Sequence, residues 1–420
     1  MKLVKTIFSS GVITFIRISS GFVAGKVIAV FTGPAGVALI GAFSNLIAII
    51  LTFANGAINT GVIKYTAEYK DERSKLESLF STAFRISIYC SLGIGCLVVF
   101  MASYLSNWIF TNLYFITQVR VLGISILLYA INSLFISILN GTGQIKTYTY
   151  VNTAGSVFGL AVTILLSWRY HIDGAIYALI MSQSIGVLIT LVLISKSSWF
   201  KWSYFNKPFD WLLARKLSHY SLMAIISAMT MPVSQIILRH IIIEKTGVVS
   251  TGYWQGMMRI SDGYLMLITT SLGTYYLPKL SVLKTQFELR KEIFSGYKII
   301  IPVVLAGCLS VYFLRFFIIK TLFTSDFLQM EHLFLWQLTG DFFKMVAWIL
   351  AYLMLAKAMT KVFIITEVLF SVGYVILGYF FVNYYGVIGA SISFAVNYFI
   401  YMILMIAIFR KLIFSRNAED

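Results

Sequence analysis

The chain has 420 residues, of which 59% are hydrophobic and only 12% are charged, and its formal net charge is +17. A soluble domain carries about 25% charged residues, so this composition excludes an ordinary soluble protein. The basic excess would suit a nucleic-acid partner, but the positions of the basic residues along the chain argue against one.

Apolar runs long enough to cross a bilayer, about 20 residues each, recur along the whole chain. Because the hydrocarbon core cannot satisfy open backbone groups, and no strictly alternating stretch suggests barrel strands, these runs predict helices. We predict about twelve spans in an all-α polytopic membrane protein. They cover residues 7–31, 36–62, 79–103, 119–140, 148–168, 172–194, 216–243, 250–277, 293–319, 332–355, 361–382 and 388–409.

The basic residues concentrate on one side of these spans. With the N-terminus inside, the cytoplasmic ends and loops hold 22 Lys and Arg, and the outer loops hold 3. Such an excess is typical of cytoplasmic loops and predicts that both termini are cytoplasmic. The first span is too long, and too interrupted by Arg17 and Lys26, for a cleaved signal peptide.

The chain also repeats itself. Residues 33–84 and 247–298 run in parallel at an offset of 214, and further on the offset is 215. Two like halves in an apolar chain predict two parallel-repeat lobes of six helices around a central cavity. The predicted domains are an N-terminal lobe (1–194), a cytoplasmic interfacial linker (195–215) and a C-terminal lobe (216–420).

Motifs for enzymatic chemistry are absent from the sequence. The three cysteines lie in apolar spans, the four histidines are scattered, and no Walker loop or zinc spacing occurs. We therefore expect no metal, no cofactor and no catalytic residue. The sequence argues against an ATP-driven pump and, less strongly, against an enzyme.

Ionisable residues inside the spans are the candidate functional residues, because charge in a bilayer is costly and usually faces a bundle interior or a wet cavity. Basic side chains in the leading helices of each half would suit an anion, and Arg can hold phosphate oxygens bidentately. Asn and Gln could bind sugar hydroxyls, although hydrogen bonds between helices explain them equally well. The predicted substrate-binding residues are Arg17, Lys26, Arg239, Arg259, Lys344, Asn45 and Gln255.

Two acidic residues lie three positions from a basic one on the same helix: Asp262 after Arg259, and Asp341 before Lys344. Each spacing permits a local ion pair. Either the pairs only neutralise each other, or the acids exchange a proton or cation while the basic neighbour releases an anion. On the second interpretation the ion-coupling residues are Asp262, Asp341 and Glu367.

Several stretches of the chain resemble Wzx-type flippases, most closely the branch of O-antigen and enterobacterial-common-antigen lipid III translocases. The resemblance covers essentially the whole chain and is most specific in the second half. It is carried by GYWQGMMRISDGYLMLITTSLGTYYLPKL (252–280), LWQLTGDFFK (335–344), YLMLAKA (352–358), GKVIAVFTGPAG (25–36) and GVIKYTAEY (61–69).

This resemblance implies the fold of the multidrug/oligosaccharidyl-lipid/polysaccharide exporter superfamily. It also implies translocation of undecaprenyl-diphosphate oligosaccharide repeat units from the cytoplasmic to the periplasmic leaflet by alternating access. The family's basic first-span position falls on Arg17, its glycine-lysine pair on Gly25 and Lys26, and its tenth-span Asp and Lys on Asp341 and Lys344. Its eighth-span acid falls on Asp262. Arg259 departs from the family pattern, which has a small residue there.

Two other functions remain open from the sequence. A drug/cation antiporter of the same fold is the first, although acidic rather than basic cavity residues would be expected of it. A membrane polysaccharide polymerase or ligase is the second, although the outer loops are short for one. Besides the lipid-linked substrate, the expected partners are membrane lipid and the polymerase and chain-length regulator of the same pathway, with no nucleic acid.

Overall fold

The computed structural model describes residues 2–195, 197, 200–272, 276, 279–280, 283–357 and 359–414, with side chains from residue 16 onward except at 145, 183, 219, 220, 223 and 271. This part of the chain is helical and contains no strand. Its helices are α1 (Lys2–Ala54), α2 (Asn59–Glu68), α3 (Arg73–Phe100), α4 (Ala102–Phe110), α5 (Ile116–Gly141), α6 (Ile145–Ser184), α7 (Gly186–Ile194), α8 (Trp211–Ser271), α9 (Gln286–Phe313), α10 (Arg315–Leu322), α11 (Phe334–Ala356), α12 (Thr360–Tyr385), α13 (Val387–Ile408) and α14 (Arg410–Phe414). Two 3-10 helices cover Trp202–Phe205 and Ser325–Leu333.

Three stretches are too long for a single membrane crossing, and each contains a kink. The backbone leaves the helical conformation, with positive φ, at Gly33 in α1, His171 in α6 and Gly247 in α8. The described residues hold nine candidate membrane spans, and the three kinked ones are 39, 49 and 47 residues long. Since one crossing needs about 20 residues, each of the three crosses twice. The prediction of an all-helical membrane protein with about twelve spans is confirmed.

The kinks recur at the offsets of the sequence repeat. Gly33 (φ 65°, ψ −172°) and Gly247 (φ 85°, ψ 168°) are 214 residues apart and share one conformation. His171 (φ 48°, ψ −122°) and Gly386 (φ 60°, ψ −145°) are 215 residues apart and share another. Glycine adopts positive φ without steric penalty, whereas His171 does so at a cost. The repeat in the sequence therefore has a counterpart in the backbone.

Two glycines related by the repeat, Gly174 and Gly389, allow close packing of the chain on either side of a turn. A Cβ built on Gly174 would overlap the carbonyl oxygen of Leu166, and one built on Gly389 would overlap the carbonyl oxygen of Phe381. Both glycines and both carbonyls are related by the offset of 215. In each half, the chain after the turn passes so close to the chain before it that only glycine fits.

A carboxylate just after His171 fixes the loop that precedes α5. The Tyr114 hydroxyl donates to Oδ2 of Asp173 at 2.9 Å, and the Gln118 amide donates to Oδ1 at 2.6 Å. The hydrogen bond raises the pKa of the Tyr114 phenol, because only the protonated phenol can donate to the carboxylate. These hydrogen bonds connect the chain just after the kink in α6 to the beginning of α5.

The second predicted span ends earlier than its apolar run. The run extends to residue 62, but α1 ends at Ala54 and α2 begins at Asn59. Gly56 and Ala57 both have positive φ (61° and 55°), which a continuous helix cannot contain. Apolar residues after this turn, such as Val62, are instead buried on one side of α2.

The described part of the predicted linker packs against the beginning of α3. The Ser81 hydroxyl lies 3.0 Å from the carbonyl oxygen of Phe205 and 2.5 Å from that of Lys207, and the Asp210 amide donates to the Thr82 hydroxyl at 3.1 Å. Phe205 also lies in a buried hydrophobic cluster with residues of α2, α3 and α5. Residues 196, 198 and 199 of the predicted linker lie outside the described residues.

The chain divides into two compact units. The first consists of Met1–Thr32 and Leu39–Pro232, and the second of Gly33–Ala38 and Val233–Asp420. The dividing residue, Pro232, lies inside α8, where proline removes a backbone hydrogen bond and allows a helix to bend. In the second unit, α13 packs along α11 and α12, and α9 packs on α11. The lobe boundaries at 194 and 216 stay a prediction from the repeat.

We expect Gly389→Ala to destabilise the protein. The added Cβ has no space beside the backbone of Phe381, and overpacking costs about 1–3 kcal/mol. The measurement is thermal unfolding in detergent. Gly307→Ala is the control, because a Cβ at Gly307 meets nothing within 4 Å and alanine stabilises a helix by about 1 kcal/mol. Equal unfolding temperatures for Gly389→Ala and the wild type would contradict this packing.

Candidate functional site

Asp341 is fully buried in α11, where donors from another helix bind its carboxylate. The Ser261 hydroxyl lies 2.6 Å from Oδ1 and 2.7 Å from Oδ2, and the Tyr264 hydroxyl donates to Oδ2 at 2.7 Å. Both donors belong to the part of α8 after Gly247, and being three residues apart they share a face. The Cys308 sulfur in α9 lies 3.5 Å from the Tyr264 hydroxyl oxygen. The network joins three helices of the second unit.

Lys344 lies one turn after Asp341, but its ammonium group packs among aromatic rings. Its Nζ is 4.9 Å from the ring centre of Trp348, 5.6 Å from that of Tyr398 and 5.8 Å from that of Phe394. Aromatic rings attract a cation by their quadrupole, most strongly where water is excluded. Lys344 is 7% exposed.

The local ion pairs that the spacing permits do not form among the described residues. The closest charged atoms of Asp341 and Lys344 lie beyond 4.0 Å, as do those of Arg259 and Asp262. Lys344 does interact electrostatically with both acids at longer range. One buried ammonium group is thus shared by two carboxylates on different helices.

The accessibility of the two acids differs. Asp262 is exposed although it follows the buried Ser261, because consecutive residues of a helix point about 100° apart. Arg259, three residues earlier on the same face, is half-buried. The side chains of Asp262 and Arg259 therefore keep accessible surface, whereas Asp341 is enclosed.

Arg239 is 2% exposed, and its guanidinium group donates to the side-chain oxygen of Gln255. It lies 5.9 Å from the ring of Trp254. Its Nε and Nη1 atoms have no hydrogen-bond partner among the described residues. Arg239 precedes the kink at Gly247 and Gln255 follows it, so the contact closes a helical hairpin. A diphosphate cannot touch Arg239 in this arrangement, whereas Gln255 is half-buried.

The remaining predicted residues lie on α1 and α12. In the first unit, Arg17 is exposed, and Lys26 and Asn45 are half-buried. Arg17 interacts electrostatically with Tyr129 of α5. In α12, Glu367 is half-buried and interacts electrostatically with Tyr398, which also contacts Lys344. The described residues contain no group of His, Cys, Asp and Glu that could hold a metal ion.

Sequence reasoning missed the partners of the charged residues. Ser261 and Tyr264 lie on either side of Asp262 in the segment that carries the family resemblance. Helix geometry directs both away from the face of Asp262, so the sequence could have indicated that they contact a different neighbour. Tyr398 interacts electrostatically with Asp262, Asp341 and Glu367. Nothing in the apolar sequence of α13 distinguishes this tyrosine from a packing residue.

Comparison with known proteins decides the family. Residues 38–332 match the family described as polysaccharide biosynthesis protein. The chain belongs to this polysaccharide biosynthesis protein family. It is 30% identical over 419 residues to the lipid III flippases of Escherichia coli (strain K12) and Shigella flexneri, and these alignments cover 100% of this chain and of each relative.

Solved structures of transporters share the fold of this polysaccharide biosynthesis protein. An inward-facing multidrug resistance MATE family transporter of the MOP superfamily has a TM-score of 0.77 at 15% identity, over 95% of this chain and 94% of that chain. An outward-facing one has a TM-score of 0.68 at 15% identity, over 97% of this chain and 94% of that chain. At this level of identity the likeness establishes the fold alone.

We expect Ser261→Ala to lower the free energy of unfolding by about 1 kcal/mol, because one interhelical donor to the buried Asp341 carboxylate is lost. Ser393→Ala is the matched control. Ser393 is equally buried, but its hydroxyl donates to a carbonyl of its own helix at 2.7 Å. Unfolding in detergent should distinguish the two variants, and equal effects would show that the Asp341 network adds no stability.

Proposed function

We propose that this protein is a flippase that moves undecaprenyl-diphosphate-linked oligosaccharide repeat units from the cytoplasmic to the periplasmic leaflet by alternating access. The observation that carries the proposal is the 30% identity over the whole chain to proteins described as lipid III flippases. Repeat units of O-antigen or of enterobacterial common antigen both fit this class of substrate. The shared fold of MOP transporters supports translocation rather than synthesis.

The chemistry of such a substrate suits the charges of the chain. A diphosphate needs cations that can reach it, and the sugars need hydrogen-bonding side chains. We propose that Arg17, Lys26 and Arg259, which are exposed or half-buried, bind the diphosphate. Half-buried Asn45 and Gln255 would then bind sugar hydroxyls.

Two of the basic residues predicted to bind substrate would act on it indirectly. Arg239 is enclosed and donates to Gln255, so it would position that amide rather than touch the substrate. Lys344 is enclosed by three aromatic rings and shared electrostatically by Asp262 and Asp341. Lys344 would therefore act on the substrate through these carboxylates.

For ion coupling, we propose that Asp262, Asp341 and Glu367 bind the coupling proton or cation. A carboxylate in a low-dielectric site resists ionisation, while a nearby cation favours it. Binding of a substrate anion near Lys344 would weaken the electrostatic attraction between that lysine and the carboxylates of Asp262 and Asp341. Protonation of the two acids would then be favoured. Proton and substrate occupancy would then be linked.

The chain is a multi-pass protein of the inner membrane. We propose that both termini and the linker at 195–215 face the cytoplasm, which the excess of 22 over 3 basic residues supports. Polymerase and chain-length regulator proteins of the same pathway are proposed partners. They would act on the translocated substrate after this protein releases it.

A drug/cation antiporter is the second candidate, and the likeness to MATE transporters favours it. A cationic drug would be held best by accessible acids. Among the proposed substrate-binding and ion-coupling residues, however, three basic ones have accessible side chains (Arg17, Lys26 and Arg259), against two acidic ones (Asp262 and Glu367). This balance of charge favours an anionic substrate.

We expect Arg17→Ala to insert normally but to fail to restore surface polysaccharide in a flippase-deficient strain. Loss of a charge-assisted contact costs about 1.5–3 kcal/mol, which is roughly a 10- to 150-fold loss of affinity. Arg17→Lys should restore it partly if bidentate geometry matters. Arg120→Ala is the control, because Arg120 is an exposed basic residue outside the proposed site. Full restoration by Arg17→Ala at native expression would remove Arg17 from the mechanism.

We expect Asp341→Asn and Asp262→Asn to fold and bind substrate but to transport without responding to an imposed pH gradient. Asn keeps the size of the side chain and an oxygen for Ser261, but it cannot titrate. Asp326→Asn, at an exposed acid of the 3-10 helix Ser325–Leu333, should behave as wild type. If both test variants keep pH-driven transport, or if the wild type never responds to a proton or sodium gradient, the coupling proposal is wrong.

A further inference from the structure

Three lysines of the first unit converge on two stacked tyrosines, and we name these five residues the lysine–tyrosine cluster. The rings of Tyr65 and Tyr69 are 5.7 Å apart at 22°. The ammonium nitrogen of Lys64 lies 5.2 Å from the Tyr65 ring centre, and that of Lys75 lies 5.5 Å from the Tyr69 ring centre. The ammonium of Lys216 lies 6.0 Å and 5.9 Å from the two ring centres and donates to the Tyr69 hydroxyl at 3.2 Å.

The tyrosines provide a fixed support for these lysines. They are four residues apart on α2 and therefore share one face of that helix. Tyr65 is 9% exposed and Tyr69 is 5% exposed, and both belong to a buried hydrophobic cluster that includes Leu79 of α3, Ile138 of α5 and Leu217 of α8. The lysines thus pack against rings that three other helices hold in place, and Lys64 and Lys75 are exposed while Lys216 is half-buried.

The cluster brings together more positive than negative charge. Lys75 forms an ion pair with Glu72 at 2.6 Å. Lys216 donates a hydrogen bond to the Tyr69 hydroxyl and interacts with Glu68 only at longer range. Because like charges repel, three ammonium groups on one support are stabilised by an anion. Each ammonium group can donate three hydrogen bonds, and the Tyr69 hydroxyl accepts one of the three from Lys216.

The cluster lies where helices leave the membrane. Lys64, Tyr65 and Tyr69 lie between the candidate spans Ile16–Ala54 and Arg73–Phe100. Lys75 lies in the first turn of the second of these spans, and Lys216 precedes the candidate span Ala224–Thr270. Tyrosine and lysine are both typical of the headgroup level of a bilayer. Basic residues close to a membrane surface attract anionic lipids, with about 1 kcal/mol for each lysine or arginine.

The sequence of the second half does not repeat these lysines and tyrosines. At the offset of 214, Lys64, Tyr65, Tyr69 and Lys75 correspond to Pro278, Lys279, Leu283 and Leu289. Lys279 forms an ion pair with Glu292 at 2.6 Å, so its charge is compensated within the protein. The lysine–tyrosine cluster is therefore an addition to one half of the repeat, which the repeated fold itself does not require.

We propose that the lysine–tyrosine cluster binds the phosphate headgroup of an anionic phospholipid at the membrane boundary. The ammonium groups of Lys64, Lys75 and Lys216 would surround the phosphate, with the tyrosine rings below them. The site contains none of the residues proposed to bind the transported substrate. It does not depend on the flippase proposal, and the protein would hold this lipid whatever it transports.

Native mass spectrometry of the purified full-length protein in detergent tests the proposal, with phosphatidylglycerol as the anionic lipid and phosphatidylcholine as the neutral reference. The double variant Lys75→Gln with Lys216→Gln should bind phosphatidylglycerol about 25-fold more weakly, at about fivefold for each lysine. Lys70→Gln is the control, because Lys70 is an exposed lysine of the same loop outside the cluster. It should bind phosphatidylglycerol as the wild type does.

Tyr69→Phe provides a second variant, which keeps the stacked ring and removes only the hydroxyl that holds Lys216. It should fold normally and bind phosphatidylglycerol about two- to fivefold more weakly. Equal weakening by Lys70→Gln, or unchanged binding in the cluster variants, would overturn the proposal. So would cluster-dependent binding of inorganic phosphate or of a polyprenyl diphosphate with no effect on phosphatidylglycerol, because the site would then serve another phosphate.

Discussion

Hydrocarbon offers neither hydrogen bonds nor hydration, so every charged side chain at membrane depth must find its partners within the protein. In the second unit, Asp341 accepts hydrogen bonds from Ser261 and Tyr264, and the Lys344 ammonium lies among three aromatic rings. Arg239 donates to Gln255. Such buried charge costs stability, and the proposed binding of an anionic headgroup and a coupling ion would give that cost a use.

The same constraint shapes the backbone. Helices satisfy their own polar groups, and within the three longest helical stretches the chain turns at short kinks with positive φ. These kinks recur at Gly33 and Gly247 and at His171 and Gly386, at the offsets of the sequence repeat. Because Gly174 and Gly389 allow the same close approach after the second kind of turn, the two halves share their packing as well as their order of spans.

The sequence alone predicted the number of spans, because each span must be about 20 apolar residues long whatever it packs against. It also placed the charged residues on their helices, but it could not show their partners. The spacing of Asp341 and Lys344 suggested a local pair, yet tertiary packing directs the lysine to Trp348 and Tyr398. The burial of Arg239 and the lysines around Tyr69 likewise depend on contacts between distant segments, which spacing along one helix does not encode.

The central claim is that this chain by itself moves a lipid-linked oligosaccharide across a bilayer. Its most direct measurement is translocation of radiolabelled undecaprenyl-diphosphate oligosaccharide in vesicles that contain only the purified protein, with the substrate on each leaflet distinguished by its accessibility to an added enzyme. We expect a rate of translocation well above that of protein-free vesicles, and a faster rate for the oligosaccharide lipid than for a cationic drug. Translocation equal to that of empty vesicles, with the drug transported instead, would contradict it.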